Sequence, residues 1–279
     1  MTGRSVAQNA ELALLLEVTG TPKPGNVDRE RDYEDLRFEH FMAGAVGARP
    51  GLGLAADGEQ VGHAFERAVA GMADQSAGNT QFGALLLLAP LVAASNEDAL
   101  SPDGVDAVAR ATTVADAADF YRAFEHVSVA IEDPPEGLEP LDVRRGSDAI
   151  PALEARDLTL FDVMERSAPV DGVAAEWVGQ FERVFDAAES ILADTGPVPD
   201  RAARAFLELL AAEPDTFVVK RQDNATAEEV QRRAQAVLDG EEDATELAAE
   251  FVERDINPGT TADLVAGALF VALDRGLVV

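Results

Sequence analysis

Lysine occurs only twice in the 279 residues, at Lys23 and Lys220, although arginine brings the basic total to 22. Lys23 stands in the run Thr21-Pro22-Lys23-Pro24-Gly25-Asn26-Val27-Asp28-Arg29. The flanking prolines make this backbone stiff and non-helical. Gly25 lets it turn or approach a ligand closely. A chain that has nearly abandoned lysine but keeps one in a rigid loop has a use for an ammonium group there. The plainer account is a helix-to-helix connector with a solvated lysine.

Three more stretches depart from plain amphipathic helix: 78–83 and 257–263, which combine glycine with polar groups, and 215–221, which holds the second lysine. Two of them, Gly78-Asn79-Thr80 and Asn257-Pro258-Gly259-Thr260-Thr261, precede apolar helical runs. A helix start offers free N–H groups and partial positive charge, which suit phosphate. Taken singly, each also reads as a turn and a cap. Lys23 and Lys220 are each followed by an arginine, Arg29 and Arg221. The acids Asp28, Asp35 and Asp263 accompany the loops. Carboxylates beside a polyphosphate hold magnesium, which takes only one or two protein oxygens and keeps several waters. Neither a P-loop nor a dinucleotide fingerprint is present.

The elements that must position these groups read as helices throughout. Helical spacing covers residues 5–18, 32–48, 60–73, 103–110, 114–131, 157–166, 173–192, 200–211, 225–238 and 244–253, with a last helix opened by Thr260 or Thr261. Residues 49–58 read as a Gly- and Pro-rich turn, 132–150 as a long loop, and 215–221 as a segment of open type. The run 84–92 is apolar on every side and so belongs at the buried centre. Asn79 or Thr80 is its expected N-cap, and Pro90 is expected to kink it. No stretch sustains strand alternation. The expected fold is all-α, a single domain over 1–279 built around that central helix.

The net charge is −30 and cysteine is absent. Such a field repels nucleic acid and anionic membrane. Disulfides and thiolate catalysis are excluded. Dense carboxylate with scarce lysine resembles proteins of salt-loving microbes, where molar salt shortens screening to about 3 Å. No signal pattern or bilayer-length apolar run occurs. The chain reads as soluble and cytoplasmic, and its oligomeric state is left open.

Pro22 to Arg29, with Asp35 beyond, resembles the Pro-Lys-Pro-Gly-x-Val-Asp signature and the following His-x-Asp-Met of the triphosphoribosyl-dephospho-CoA synthase family. Asn79-Thr80 with Gly83 resembles that family's Asn-Thr-x-x-Gly. Asp215-Thr216 with Arg221 resembles its Asp-Thr-x-x-x-x-Arg. Asn257 to Leu264 resembles its Pro-Gly-Gly-Ser-Ala-Asp-Leu. The motifs occur in the family's order. Departures stand at Tyr33, Gln81, Phe82, Phe217, Lys220 and Thr260.

The resemblance implies transfer of the triphosphoribosyl group of ATP to the 2′-hydroxyl of 3′-dephospho-CoA. Adenine is released and a prosthetic-group precursor is made. It implies ATP and a dephospho-CoA-like acceptor as partners and Mg2+ as cofactor. Asp28, Asp35 and Asp263 are the expected catalytic acids, with Asp28 and Asp35 on the metal. Lys23, Gly25, Asn79, Thr80, Lys220, Arg221 and Gly259 are the expected nucleotide contacts. A ribosyl transferase of the same fold with another acceptor, a non-catalytic nucleotide-binding module and a plain helical scaffold are the alternatives.

Overall fold

Each segment with helical spacing contains helix. The computed structural model describes residues 3–131, 133–134 and 137–279. Those residues form α1 (Val6–Thr19), α2 (Phe38–Ala56), α3 (Val61–Met72), α4 (Phe82–Asn96), α5 (Pro102–Arg110) and α6 (Val114–Ala123). Two short 3-10 segments follow, Glu139–Leu141 and Val143–Ala149. Then come α7 (Ile150–Glu154), α8 (Leu160–Ser167), α9 (Gly172–Val178), α10 (Glu182–Ala193), α11 (Val198–Ala212), α12 (Thr216–Arg221), α13 (Asn224–Leu238), α14 (Ala244–Glu253) and α15 (Gly259–Asp274). No strand forms among the described residues, and none of their helices is long and apolar enough to cross a membrane.

The apolar run expected at the centre is there. In α4, twelve residues from Phe82 to Ala94 are buried, and α15 is buried along nearly all its length beside it. One apolar cluster runs from Ala10 to Leu277 around this pair. Pro90 lies inside α4 and has no N–H for the Leu86 carbonyl. The Trp177 indole donates to that carbonyl instead, at 3.2 Å. A backbone acceptor freed by proline is thus met from α9.

Several boundaries differ from the expectation. The second helix starts at Phe38, where the Asp32 carboxylate accepts the Phe38 N–H at 2.7 Å. It then continues through the supposed turn at 49–58, with Pro50 inside it. Its glycines serve packing: a Cβ on Gly51 would fall 2.2 Å from the Ala68 nitrogen, and one on Gly47 would fall 2.1 Å from the Gly71 carbonyl. The expected helix over 173–192 is two helices, broken where Gln180 and Phe181 take φ of 58° and 59°. Glu176 bridges the break, accepting from Val184 N at 3.1 Å and Arg183 Nε at 2.7 Å. The helix expected over 114–131 ends at Ala123. The expected loop at 132–150 contains both 3-10 segments, while 132, 135 and 136 lie outside the described residues.

Candidate functional site

The Pro-Lys-Pro-Gly loop folds inward. Lys23 is fully buried; its ammonium pairs with Glu17 of α1 and donates to Asn26 Oδ1 at 3.0 Å. Asp28 is also fully buried. Its Oδ2 accepts from Thr21 Oγ1 (2.8 Å), Lys23 N (3.2 Å) and Arg31 Nη1 (3.3 Å), and its Oδ1 accepts from Glu30 N (2.8 Å). Both oxygens are therefore occupied by their own loop. Gly25 has φ 75°, and a Cβ there would sit 2.1 Å from the Ile256 carbonyl. Tyr33 holds the same junction, its hydroxyl 2.5 Å from Gly25 O and 3.1 Å from Ile256 O. Asn26 completes it by donating to Asn257 Oδ1 at 3.0 Å.

The helix starts meet in the same region. Gln81, rather than Asn79 or Thr80, is the N-cap of α4, although Asn79 Oδ1 does accept the Phe82 N–H at 3.2 Å. Asp263 Oδ1 accepts the Ala84 N–H at 2.8 Å. A Cβ on Gly83 would lie 2.0 Å from Asp263 Oδ2, so only glycine admits this carboxylate. Likewise Pro258, not Thr260 or Thr261, caps α15. Asp215 caps α12 through Phe217 N (2.8 Å) and Val218 N (3.0 Å). Its other oxygen takes Thr261 N and Oγ1, both at 2.7 Å. One buried carboxylate therefore ties the 215–221 stretch to the 257–263 stretch.

A cavity of about 250 Å³ lies where these segments meet. Of the residues expected at a site, Asn79, Thr80, Lys220, Gly259 and Asp263 line it. Lys23, Gly25 and Asp28 lie behind the wall that Glu17 and Asn26 present. Asp35 is exposed and outside the cavity. Arg221 is also outside, about half exposed, with Asp255 at 3.5 Å. Two acids on the wall escaped the sequence reading. Glu17 is a charge on the buried face of an apolar helix, which was its available signal. Asp171 caps α9, accepting Ala174 N at 2.9 Å, and pairs with Lys220. Away from these charges the wall is apolar, with Phe82, Phe120, Phe124 and Met164.

Electrostatics set the acids apart. Burial raises the Glu17 carboxyl above its ordinary range; the charge and hydrogen bond of Lys23 pull it back, and Asp28 adds a smaller upward push. Burial raises Asp263 further, and the Glu17 charge adds to this. The Ala84 N–H opposes the rise, while Asp215 and Asp171 reinforce it. Part of the Asp263 surface opens onto the cavity, but protein encloses the carboxyl on its other sides.

The expected metal pair does not fit a magnesium ion: Asp28 is occupied and Asp35 is remote from the cavity. Among the described residues no three acids or histidines form a metal cluster. Magnesium needs no such cluster when phosphates complete its shell. Of the cavity-facing carboxylates, Glu17 and Asp263 each keep one oxygen without a hydrogen-bond partner among the described residues, whereas Ala174 N and Lys220 take both oxygens of Asp171.

Comparison with known proteins bears on the fold and the family. No curated protein matched the chain. A crystal structure of a protein from Archaeoglobus fulgidus, provisionally described as a triphosphoribosyl-dephospho-CoA synthase, is similar in fold. Its TM-score is 0.69 at 24% identity, covering 86% of this chain and 99% of that one. The family model CitG, described as ATP:dephospho-CoA triphosphoribosyl transferase, matches residues 3–277. The chain belongs to the ATP:dephospho-CoA triphosphoribosyl transferase family.

Proposed function

We propose that this chain moves the triphosphoribosyl group of ATP onto the 2′-hydroxyl of 3′-dephospho-CoA in the cavity between α1, α4, α9 and α15. The observation that carries this reading is that Glu17, Asn79, Lys220 and Asp263, far apart in sequence, line one cavity. In the reaction the C1′–N bond to adenine breaks and a C1′–O bond forms. The acceptor hydroxyl gives up a proton, and the departing adenine takes one up. Glu17 and Asp263, with the Glu17 charge adding to the raised proton affinity of Asp263, divide these tasks. The neutral carboxyl protonates adenine, and the ionised one receives the hydroxyl proton. Negative charge at that point also favours an oxocarbenium-like C1′.

Lys220 and the first turn of α15 at Gly259 meet the triphosphate. With Lys220 turned to the triphosphate, the Asp171 Oδ2 it leaves would hold magnesium together with phosphate oxygens. When bound, the ion supplies charge neutralisation for the triphosphate. The apolar wall at Phe82, Phe120 and Phe124 excludes water, which would otherwise take the ribosyl group. Adenine release from ATP should require dephospho-CoA and fall at least about a hundredfold in Asp263→Asn, the range for losing a positioned acid or base. Wild-type release in that variant would remove Asp263 from the chemistry.

A further inference from the structure

Gln81 sits where α4 begins, and its side chain takes no part in capping that helix. Asn79 and Asp263 already accept the N–H groups of Phe82 and Ala84. The backbone N–H of Gln81 points to Met72 Sδ at 3.1 Å. Its side-chain Oε1 and Nε2 are both buried, and neither has a hydrogen-bond partner among the described residues. The residue is only 3% exposed, yet it lines the cavity. The neighbouring Thr80 hydroxyl is in the same condition. Gly44 of α2 leaves room for both side chains: a Cβ there would fall 2.6 Å from Thr80 Oγ1 and 3.2 Å from Gln81 Oε1. Buried amides without partners are costly, and cores rarely keep them without a use.

We infer that Gln81 reads the edge of an adenine ring, with Thr80 beside it. This rests on the cavity being a nucleotide site. An amide presents one donor and one acceptor side by side and carries no charge. It is a poor partner for phosphate, which Lys220 serves better, and a matched one for the adjacent amine and ring nitrogen of adenine. The aromatic ring of Phe82 follows directly in the chain and lines the same cavity. Both ATP and dephospho-CoA carry adenine, so the ring could belong to donor or acceptor.

The test uses the full chain, wild type and Gln81→Met, with Thr80→Val as a second variant. Melting temperature without ligand is measured first. Dissociation constants are then measured for Mg–ATP, for the analogue whose purine lacks the 6-amino group, and for dephospho-CoA. Gln81→Met should melt at or above wild type, because an apolar side chain replaces an unmet amide. It should bind one adenine ligand about tenfold or more weakly, and the ligand affected identifies which adenine is read. If that ligand is ATP, the preference over the 6-unsubstituted analogue should also disappear. Unchanged affinity for both adenine ligands would overturn the inference. So would a melting temperature well below wild type, since the amide would then be a structural group. Wild type binding neither adenine ligand would sink the nucleotide reading itself, and this inference with it.

Discussion

Asp263 is held against the start of α4 by a glycine that leaves no room for a side chain. Burial there raises its proton affinity well above the ordinary value of 3.8. The folded chain therefore binds this proton more tightly than the unfolded chain. The resulting stability is complete below the ordinary carboxyl range and is lost as pH rises through the raised value. Asp263→Asn should thus be at least as stable as wild type near neutral pH, with a gap that widens as pH rises through that value. All other carboxylates are shared, so paired denaturant titrations across pH isolate this one. A gap independent of pH would mean that Asp263 titrates normally. Lys23 makes a second case at this scale. It was expected on phosphate, but it is buried against Glu17 and Asn26. Breaking a buried pair on one side costs about 3–5 kcal/mol. Lys23→Met should lose that much, and Glu17→Gln with Lys23→Met should recover part of it. A Lys23→Met chain that keeps its stability and loses only nucleotide affinity would restore the phosphate role.

At the scale of helices, α4 shows how one exception is absorbed by a neighbour. Pro90 removes a donor, and Trp177 of α9 supplies another. Trp177→Phe should cost about 1–3 kcal/mol through the unmet Leu86 carbonyl, beyond any lost packing. In a Pro90→Ala background that share should vanish, because a backbone N–H returns; a double-mutant cycle measures the difference. Identical costs in both backgrounds would show that the indole only packs. Helices with apolar residues at helical spacing were legible from sequence, as in α1, while its capping box of Ser5 and Gln8 emerged only in the structure. The extension of α2 through Pro50 was not. Its glycines look like turn residues until α3 is laid against them. The break at Gln180 and Phe181 was hidden because Phe181 continues the apolar pattern beyond Gly179, and Glu176 accepts the N–H groups on the far side.

Over the whole molecule, the motifs predicted which segments meet better than which atoms face the cavity. Asn26 reaches Asn257, Ala84 reaches Asp263, and Asp215 reaches Thr261. Spacing along a chain cannot tell a side chain in front of a wall from one behind it. Lys23, Asp28, Asp35 and Arg221 therefore read as ligands, and Glu17 passed as helix. The net charge of −30 adds a condition. Salt should be high in any assay, so that self-repulsion is screened within about 3 Å at molar strength.

The most direct test follows adenine and the acceptor together. Purified chain is incubated in molar salt with ATP, magnesium and dephospho-CoA, and both products are quantified by mass. Adenine and a dephospho-CoA heavier by one triphosphoribosyl unit should appear in equal amounts, with no ADP or free phosphate. Release of ADP or phosphate, or an acceptor left unchanged, would contradict the account.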